Sequence, residues 1–168
     1  MDMHYISSRG EIGPVSFKEA LLQGFAADGG LFIPQQIPRF SQAELAEMST
    51  LGFTDLAYRI IRPYIPTEEI PNQDLQELLL SSFASFSEDQ VAPVIAKGPD
   101  HFYLQELFHG PTQSFKDIAM GFLVGCMDYF LQKDQRSLSL ILATTGDTGP
   151  AAVAAAAGKK RMDCYPLF

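Results

Sequence analysis

Residues 106–119 read Glu-Leu-Phe-His-Gly-Pro-Thr-Gln-Ser-Phe-Lys-Asp-Ile-Ala, and this stretch decides the fold that we expect. A strand-like run at 102–107 stops at the turn 109–112, because glycine frees the backbone there and proline removes a hydrogen-bond donor. From Phe115 to Leu131, apolar residues recur at the three-and-four spacing of one helical face. The pattern predicts a strand, a turn and a helix that begins near Phe115, with Phe115 in the core.

Lys116 lies on the first turn of this helix, one position from the apolar stripe. The exposed amide dipoles of a first turn disfavour a cation by roughly 0.3–1 kcal/mol. They thereby favour the neutral amine, which is the form that attacks a carbonyl. Asp117 acts in the opposite direction, and most lysines are solvated surface residues. A reactive amine and a solvated lysine therefore both fit this position.

A second segment combines a strand, a glycine-threonine loop and a helix. Residues 137–143 form a nearly apolar strand, the loop Thr-Thr-Gly-Asp-Thr-Gly follows at 144–149, and Pro150 opens an alanine helix that Gly158 closes. Such a loop presents backbone N–H groups at a helix N-terminus, where a carboxylate or phosphate is stabilised. We expect it to face Lys116; an ordinary turn between a strand and a helix is the alternative.

Four segments together resemble threonine synthase, a family of fold-type II enzymes that use pyridoxal 5'-phosphate (PLP). They are Glu-Leu-Phe-His-Gly-Pro-Thr-x-x-Phe-Lys-Asp at 106–117, Ala-Thr-Thr-Gly-Asp-Thr-Gly at 143–149, and the stretches 5–10 and 28–34. The match runs in order from near residue 5 to the last residue. The resemblance implies an α/β fold of the tryptophan synthase β type, of which this chain holds a parallel-sheet fragment with a helical N-terminal part.

The resemblance also implies a site and a reaction. Lys116 would hold PLP through a Schiff base and then move protons at the substrate, in a carbon-oxygen lyase that converts O-phospho-L-homoserine and water to L-threonine and phosphate. Asp147 would lie near the 3-oxygen of the cofactor. The residues expected to bind the substrate carboxylate are Thr144, Thr145, Gly146, Asp147 and Thr148. Position 145 is usually serine in the family, and Thr145 keeps the hydroxyl.

Composition excludes several classes of protein. The chain has 168 residues, 46% of them hydrophobic and 19% charged, with a net charge of −8, so it lacks the basic surface of a nucleic-acid binder. No apolar run is long enough to span a membrane, and no secretion signal is visible. We expect Cys126 and Cys164 to be packed, reduced thiols of a cytoplasmic protein. The three histidines are too scattered for a metal site, and His109 is expected to be a hydrogen-bonded loop residue.

Local patterns predict the remaining elements. Ser16 and Ser41, each with glutamate three residues later, indicate capping boxes at two helix starts. Thr54 is expected to cap a helix at 55–62, and Asn72 a longer one. Candidate strands lie at 31–34 and 91–96, and a tight turn lies at 98–100. Strands that alternate with helices predict a parallel sheet covered on both faces.

Charged residues near 132–137 suggest a domain boundary. We expect residues 1–132 to form an N-terminal segment with helices and the PLP-lysine strand, loop and helix, and residues 133–168 to begin a second, incomplete α/β domain. Threonine synthases are much longer than this chain. We therefore expect the chain to be an N-terminal portion, inactive by itself and prone to self-association through uncovered strands.

Two other functions remain open from the sequence. One is another fold-type II lyase, such as a phospholyase or a dehydratase, and the other is a non-catalytic remnant that serves as a binding module. A nucleotide-binding protein is disfavoured because neither G-x-x-x-x-G-K-[ST] nor G-x-G-x-x-G occurs.

Overall fold

The structure, a computed structural model, describes residues 3–99 and 101–167. The chain forms two compact units, Met1–Glu77 and Leu78–Phe168. The domain boundary expected between residues 132 and 133 stays a prediction.

The first unit contains a short antiparallel pair and two capped helices. Strand β1 (Tyr5–Ser7) pairs with β2 (Phe32–Pro34). Helix α1 (Phe17–Gln23) and helix α2 (Gln42–Met48) each begin at a predicted capping box. At α1 the hydroxyl of Ser16 accepts the N–H of Glu19 at 3.1 Å, and the Glu19 carboxylate accepts the N–H of Ser16 at 2.9 Å. The serine-glutamate spacing therefore located both helix starts correctly.

Helix α3 (Phe53–Ile61) begins earlier than predicted. Gly52 is its N-cap, with extended backbone angles and no side-chain hydrogen bond, so Thr54 already lies inside the helix. The prediction of Thr54 as the cap was wrong because the backbone of Gly52 turns into the helix without a side chain. A short 3-10 helix, Arg62–Tyr64, follows and contains Pro63. Helix α4 (Asn72–Phe83) then crosses the boundary between the units.

The second unit continues with a hairpin-like pair and a βαβ arrangement. Strand β3 (Val94–Ala96) pairs antiparallel with β4 (Tyr103–Gln105). The turn predicted at 98–100 includes Asp100, which lies outside the described residues. Helix α5 (Lys116–Lys133) is followed by β5 (Leu138–Ala143), α6 (Thr148–Ala156) and β6 (Met162–Leu167).

Strands β5 and β6 pair in parallel, with Leu140 opposite Cys164. Their inner face packs on α5 and α6, which contact each other. The buried members of this core are Val124, Leu131, Ala156 and Met162. On the outer face Ile141 is 68% exposed and Tyr165 is 53% exposed. Within the described residues the helices cover only one face of the pair, and cover on both faces stays a prediction.

Cys126 is fully buried in α5, and burial raises the pKa of its thiol to about 12. Cys164 is half-buried on β6, and desolvation raises its thiol pKa as well. In residues 3–99 and 101–167, no helix combines the length and apolarity needed to cross a membrane.

Candidate active site

Lys116 is the first residue of α5 and is half-buried. Its backbone N–H points to the hydroxyl of Ser114 at 3.3 Å. Its Nζ lies 4.8 Å from the centroid of the Phe115 ring. None of the ion pairs found among the described residues includes Lys116. The amine therefore lies at a helix start beside an aromatic ring, and no carboxylate in the described part of the chain pairs with it.

Phe115 is 56% exposed, so its prediction as a core residue was wrong. It is the N-cap of α5 and precedes the regular helical spacing. The buried part of the helix starts with Asp117 and continues from Val124 onward. An exposed ring next to Lys116 leaves an apolar surface at the start of the helix.

Asp117 is 4% exposed, and its carboxylate is directed at Thr112. The N–H of Thr112 donates to Oδ2 at 2.8 Å, and the hydroxyl of Thr112 donates to Oδ1 at 2.6 Å. Both oxygens of Asp117 are thus engaged with one residue on the preceding loop. From the sequence, the Asp117 carboxylate was expected to offset the effect of the helix dipole on Lys116. It instead holds the loop at 110–115 through its two hydrogen bonds with Thr112, and we call this arrangement the Asp117 clamp.

Gly110 lies against Asp117 so closely that a side chain would not fit. A Cβ at this position would lie 2.5 Å from the Cβ and Oδ2 of Asp117, well inside van der Waals contact. The turn is closed by the N–H of Gln113, which donates to the carbonyl of Gly110 at 3.0 Å. Gln113 adopts a φ of 59°, so the turn also holds one non-glycine residue in the left-handed region. The glycine of the motif is therefore required by the aspartate seven positions later.

His109 is the hydrogen-bonded loop residue that the sequence predicted. Its Nε2 lies 2.8 Å from Oε2 of Glu106. Its carbonyl accepts the N–H of Ser87 at 2.9 Å. The prediction is confirmed, and the contacts fix the segment that leads from β4 into the turn.

The second candidate loop, 144–148, connects β5 to α6. The hydroxyl oxygen of Thr144 accepts the N–H groups of Gly146 and Gly149, each at 3.3 Å. Asp147 is the N-cap of α6, but its side chain makes no capping hydrogen bond. The helix begins at Thr148, so its first-turn N–H groups lie at the end of this loop. Thr145, Gly146 and Asp147 are exposed.

Helices α5 and α6 pack on each other, so the elements that carry Lys116 and the loop are neighbours. Among the described residues, no hydrogen bond joins Lys116 to positions 144–148. That these groups act on one substrate stays a prediction.

Lys159 is paired within the fold. Its Nζ lies 3.8 Å from Oδ2 of Asp128, which is 5% exposed and also accepts the side-chain amide of Gln132 at 2.8 Å. Oδ1 of Asp128 has no hydrogen-bond partner among the described residues. Lys159 therefore joins the end of α6 to the middle of α5.

Sequence reasoning missed the role of the segments 5–10 and 28–34. Oδ1 of Asp28 accepts the hydroxyl of Ser7 at 2.7 Å and the N–H of Gly30 at 2.9 Å, and Oδ2 accepts the N–H of Glu11 at 3.3 Å. Partial desolvation acts to raise the pKa of Asp28. These hydrogen bonds and the charge of Arg9 outweigh it and lower that pKa below its usual value. The Asp-Gly-Gly triplet was the available signal, since such a triplet favours a tight turn.

Known proteins match this chain over nearly its whole length. The family described as threonine synthase N terminus matches residues 4–83. Threonine synthase from Saccharomyces cerevisiae is 42% identical over 166 residues, which cover 92% of this chain and 32% of that protein. The enzyme from Pseudomonas aeruginosa is 38% identical over 99% of this chain and 34% of its own length.

A solved structure agrees with the sequence matches. The X-ray structure of PLP-bound threonine synthase from Brucella melitensis superposes with a TM-score of 0.94 at 36% identity, over 99% of this chain and 35% of that one. This chain therefore spans about a third of the length of the curated relatives that it matches. The sequence and structural matches together show that the chain belongs to the threonine synthase family and corresponds to its N-terminal portion.

Proposed function

We propose that the protein that carries this chain is a threonine synthase of fold-type II, a PLP-dependent carbon-oxygen lyase. It converts O-phospho-L-homoserine and water to L-threonine and phosphate. The observation that supports this most strongly is the superposition on a PLP-bound threonine synthase over 99% of the chain. The superposed region includes Lys116 and the loop 144–148.

The surroundings of Lys116 fit covalent attachment of PLP. Its amine makes no ion pair among the described residues, and the neighbouring Asp117 carboxylate is engaged with Thr112. An amine that is half-buried and has no counter-ion is available to condense with an aldehyde. When bound, PLP supplies an electron sink for negative charge at the substrate.

The remaining chemistry belongs to residues of this chain. The N–H of Thr148 at the start of α6 and the exposed loop at 144–148 bind the substrate carboxylate, because a helix N-terminus stabilises an anion. The N–H of Gly149 is already donated to Thr144, and Pro150 has none. Asp147 lies at the same helix start with its carboxylate not used for capping, so it remains available to the cofactor's 3-oxygen. Lys116 accepts and returns protons at the substrate Cα and Cβ as a general base and acid.

Borohydride trapping tests the role of Lys116. The chain is mixed with PLP and reduced, and pyridoxyl-lysine is then located by peptide mass spectrometry. We expect the adduct at Lys116, and we expect Lys116→Ala to abolish it. Lys133→Ala is the matched control, because Lys133 lies on the same helix and its Nζ is 4.4 Å from the Tyr129 ring centroid. Equal labelling of Lys116 and Lys133 would favour the alternative of a non-catalytic binding module.

Assay of threonine formation tests the reaction itself. The 168 residues cover about a third of the related enzymes, so we expect the purified chain to bind PLP weakly and to form no threonine from O-phospho-L-homoserine. We expect the full-length protein to form threonine and its Lys116→Ala variant to form none. A product other than threonine would instead support another lyase of this fold type.

We also propose that the outer face of β5 and β6 binds a second copy of this chain. Ile141 and Tyr165 are more than half exposed on adjacent parallel strands, and Leu167 is 59% exposed on the same side. Such an apolar face favours association. Light scattering should report dimers or larger species, and Ile141→Lys should return the chain to a monomer. The control Ile37→Lys changes an isoleucine that is 76% exposed in the first unit and should not have this effect.

A further inference from the structure

The geometry of the Asp117 clamp constrains the orientation of the neighbouring Lys116. Thr112 gives two hydrogen bonds to Asp117, at 2.8 and 2.6 Å, and the residues are five positions apart. A carboxylate that accepts two donors from one residue is held in both position and rotation. Because Asp117 is 4% exposed, water does not compete for these bonds.

The clamp fixes the backbone on both sides of Lys116. On the C-terminal side, Asp117 is tied to Thr112. On the N-terminal side, Ser114 accepts the Lys116 N–H with its hydroxyl, and its carbonyl accepts the Asp117 N–H at 3.0 Å. The first turn of α5 therefore cannot rotate about its axis without breaking buried hydrogen bonds. The direction of the bond from Cα to Cβ of Lys116 is set by these contacts.

The clamp also removes a competing partner for the amine. An aspartate next to a lysine on a first helical turn is free to attract the ammonium group. Here both carboxylate oxygens are occupied by Thr112, and Gly110 leaves just enough room for the side chain to lie against the turn. The spacing Gly-x-Thr-x-x-x-x-Asp in the motif is thus the spacing of one assembled unit.

We propose that Asp117 is a positioning residue: by holding Thr112 it orients Lys116 toward the bound cofactor and keeps its own carboxylate away from the amine. This inference rests on the proposed attachment of PLP to Lys116. It assigns Asp117 no contact with substrate or cofactor. Thr112 and Gly110 share the role, since they form the other half of the clamp.

Quantitative trapping on the chain tests this inference. The readout is the ratio of pyridoxyl-lysine at Lys116 to that at Lys97, an exposed lysine outside the helix. We expect Asp117→Ala to lower this ratio about tenfold, since a displacement of roughly 1 Å at a reacting group costs up to about a hundredfold. Asp117→Asn should stay within about twofold of the parent, because the amide accepts the Thr112 N–H and donates to the Thr112 hydroxyl.

Two controls separate orientation from stability. Asp55→Ala removes an exposed first-turn carboxylate from α3 and should leave the ratio unchanged. Should Asp117→Ala fail to fold, the pair Thr112→Val and Thr112→Ser replaces it, because only serine keeps the hydroxyl donor. Melting temperatures show whether each compared variant is folded.

The outcomes distinguish this inference from the proposed function. No preference for Lys116 in the parent chain would contradict the attachment of PLP to this lysine, and the positioning role with it. A parental preference that survives in Asp117→Ala, or in Thr112→Val where that pair is used, would leave the attachment in place and overturn the positioning role. A loss in Asp117→Asn as large as in Asp117→Ala would also overturn it, because charge rather than geometry would then control the amine.

Discussion

Asp28 and Asp117 hold two different loops through the same kinds of hydrogen bond. Each carboxylate accepts a side-chain hydroxyl and a backbone N–H. Asp28 uses Ser7 and Gly30, whereas Asp117 uses both donors of Thr112. Each clamp also contains a glycine at which a Cβ would collide with the clamp itself.

The two clamps differ in reach and in neighbours. Asp28 is half-buried and joins segments whose residues, Ser7 and Asp28, are 21 positions apart. Asp117 is buried, spans five positions and is adjacent to Lys116. The same arrangement of hydrogen bonds therefore joins distant segments in the first unit and fixes the turn that precedes Lys116 in the second. A motif shared with an enzyme family therefore contains residues whose hydrogen bonds are structural.

Alanine substitutions at Gly110 and Gly30 test this comparison, and they have the largest expected effects on the free energy of unfolding. Gly110→Ala places a Cβ 2.5 Å from the Cβ of Asp117, which cannot move without moving the helix backbone. The Cβ of Gly30→Ala meets the hydroxyl of Ser7 and lies 3.0 Å from Oδ1 of Asp28, and these two side-chain ends can shift; the backbone nitrogen of Arg9, at 3.1 Å, is a milder contact. We expect losses of about 3 kcal/mol for Gly110→Ala and about 1–2 kcal/mol for Gly30→Ala, measured by urea unfolding.

Gly13→Ala is the control for both changes, because a Cβ there meets nothing within 4 Å. It should change the free energy of unfolding by less than about 0.5 kcal/mol. Equal losses at Gly110 and Gly13 would show that the close contact with Asp117 does not exist in solution.

The pH dependence of the Asp28 clamp is a second test, with a smaller expected effect on the stability of the chain. The pKa of Asp28 is lowered in the folded chain despite partial desolvation, through bonds from Ser7, Gly30 and Glu11 and the charge of Arg9. Its contribution to stability is therefore fully present above the unfolded pKa of about 3.9 and is lost as the pH falls through the lower folded pKa. Asp28→Asn should destabilise the chain at pH 7.

The destabilisation by Asp28→Asn should shrink as the pH falls below about 4, since the parent then loses the same charge. Thermal melts from pH 2 to pH 7 measure this, with Asp55→Asn as an exposed control. A difference between parent and Asp28→Asn that stays constant over this range would contradict a lowered pKa for Asp28.

Local signals in the sequence predicted much of the secondary structure. The serine-glutamate pairs at residues 16 and 41 located two helix starts, because a capping box lies within four consecutive residues. The alternation of strand, loop and helix after residue 137 predicted β5 and α6. Thr54 failed as a cap because glycine can enter a helix without a side-chain bond.

Both clamps escaped prediction for a physical reason. The bond from Ser7 to Asp28 joins residues 21 positions apart, and no periodic pattern connects them. Thr112 and Asp117 are separated by a turn in which Gln113 has a φ of 59°, so helical spacing does not apply. The failed prediction for Phe115 has the same origin, because the regular spacing was extended one residue beyond the true helix start.

The loop at 144–148 sharpens the comparison, because it is held without a carboxylate. Among the described residues, its side-chain hydrogen bonds all come from Thr144, whose hydroxyl accepts the N–H groups of Gly146 and Gly149 at 3.3 Å and donates to the carbonyl of Gly146 at 3.2 Å, while the side chain of Asp147 caps nothing. Thr144→Val should therefore cost only about 0.5–1.5 kcal/mol in urea unfolding, less than Gly110→Ala. Thr145→Val, at an exposed neighbour, should cost almost nothing. A loss of stability at Thr144 as large as that at Gly110 would mean that this loop is as tightly fixed as the two clamped loops. Such a result would contradict the expectation that the loop can move to close on a substrate.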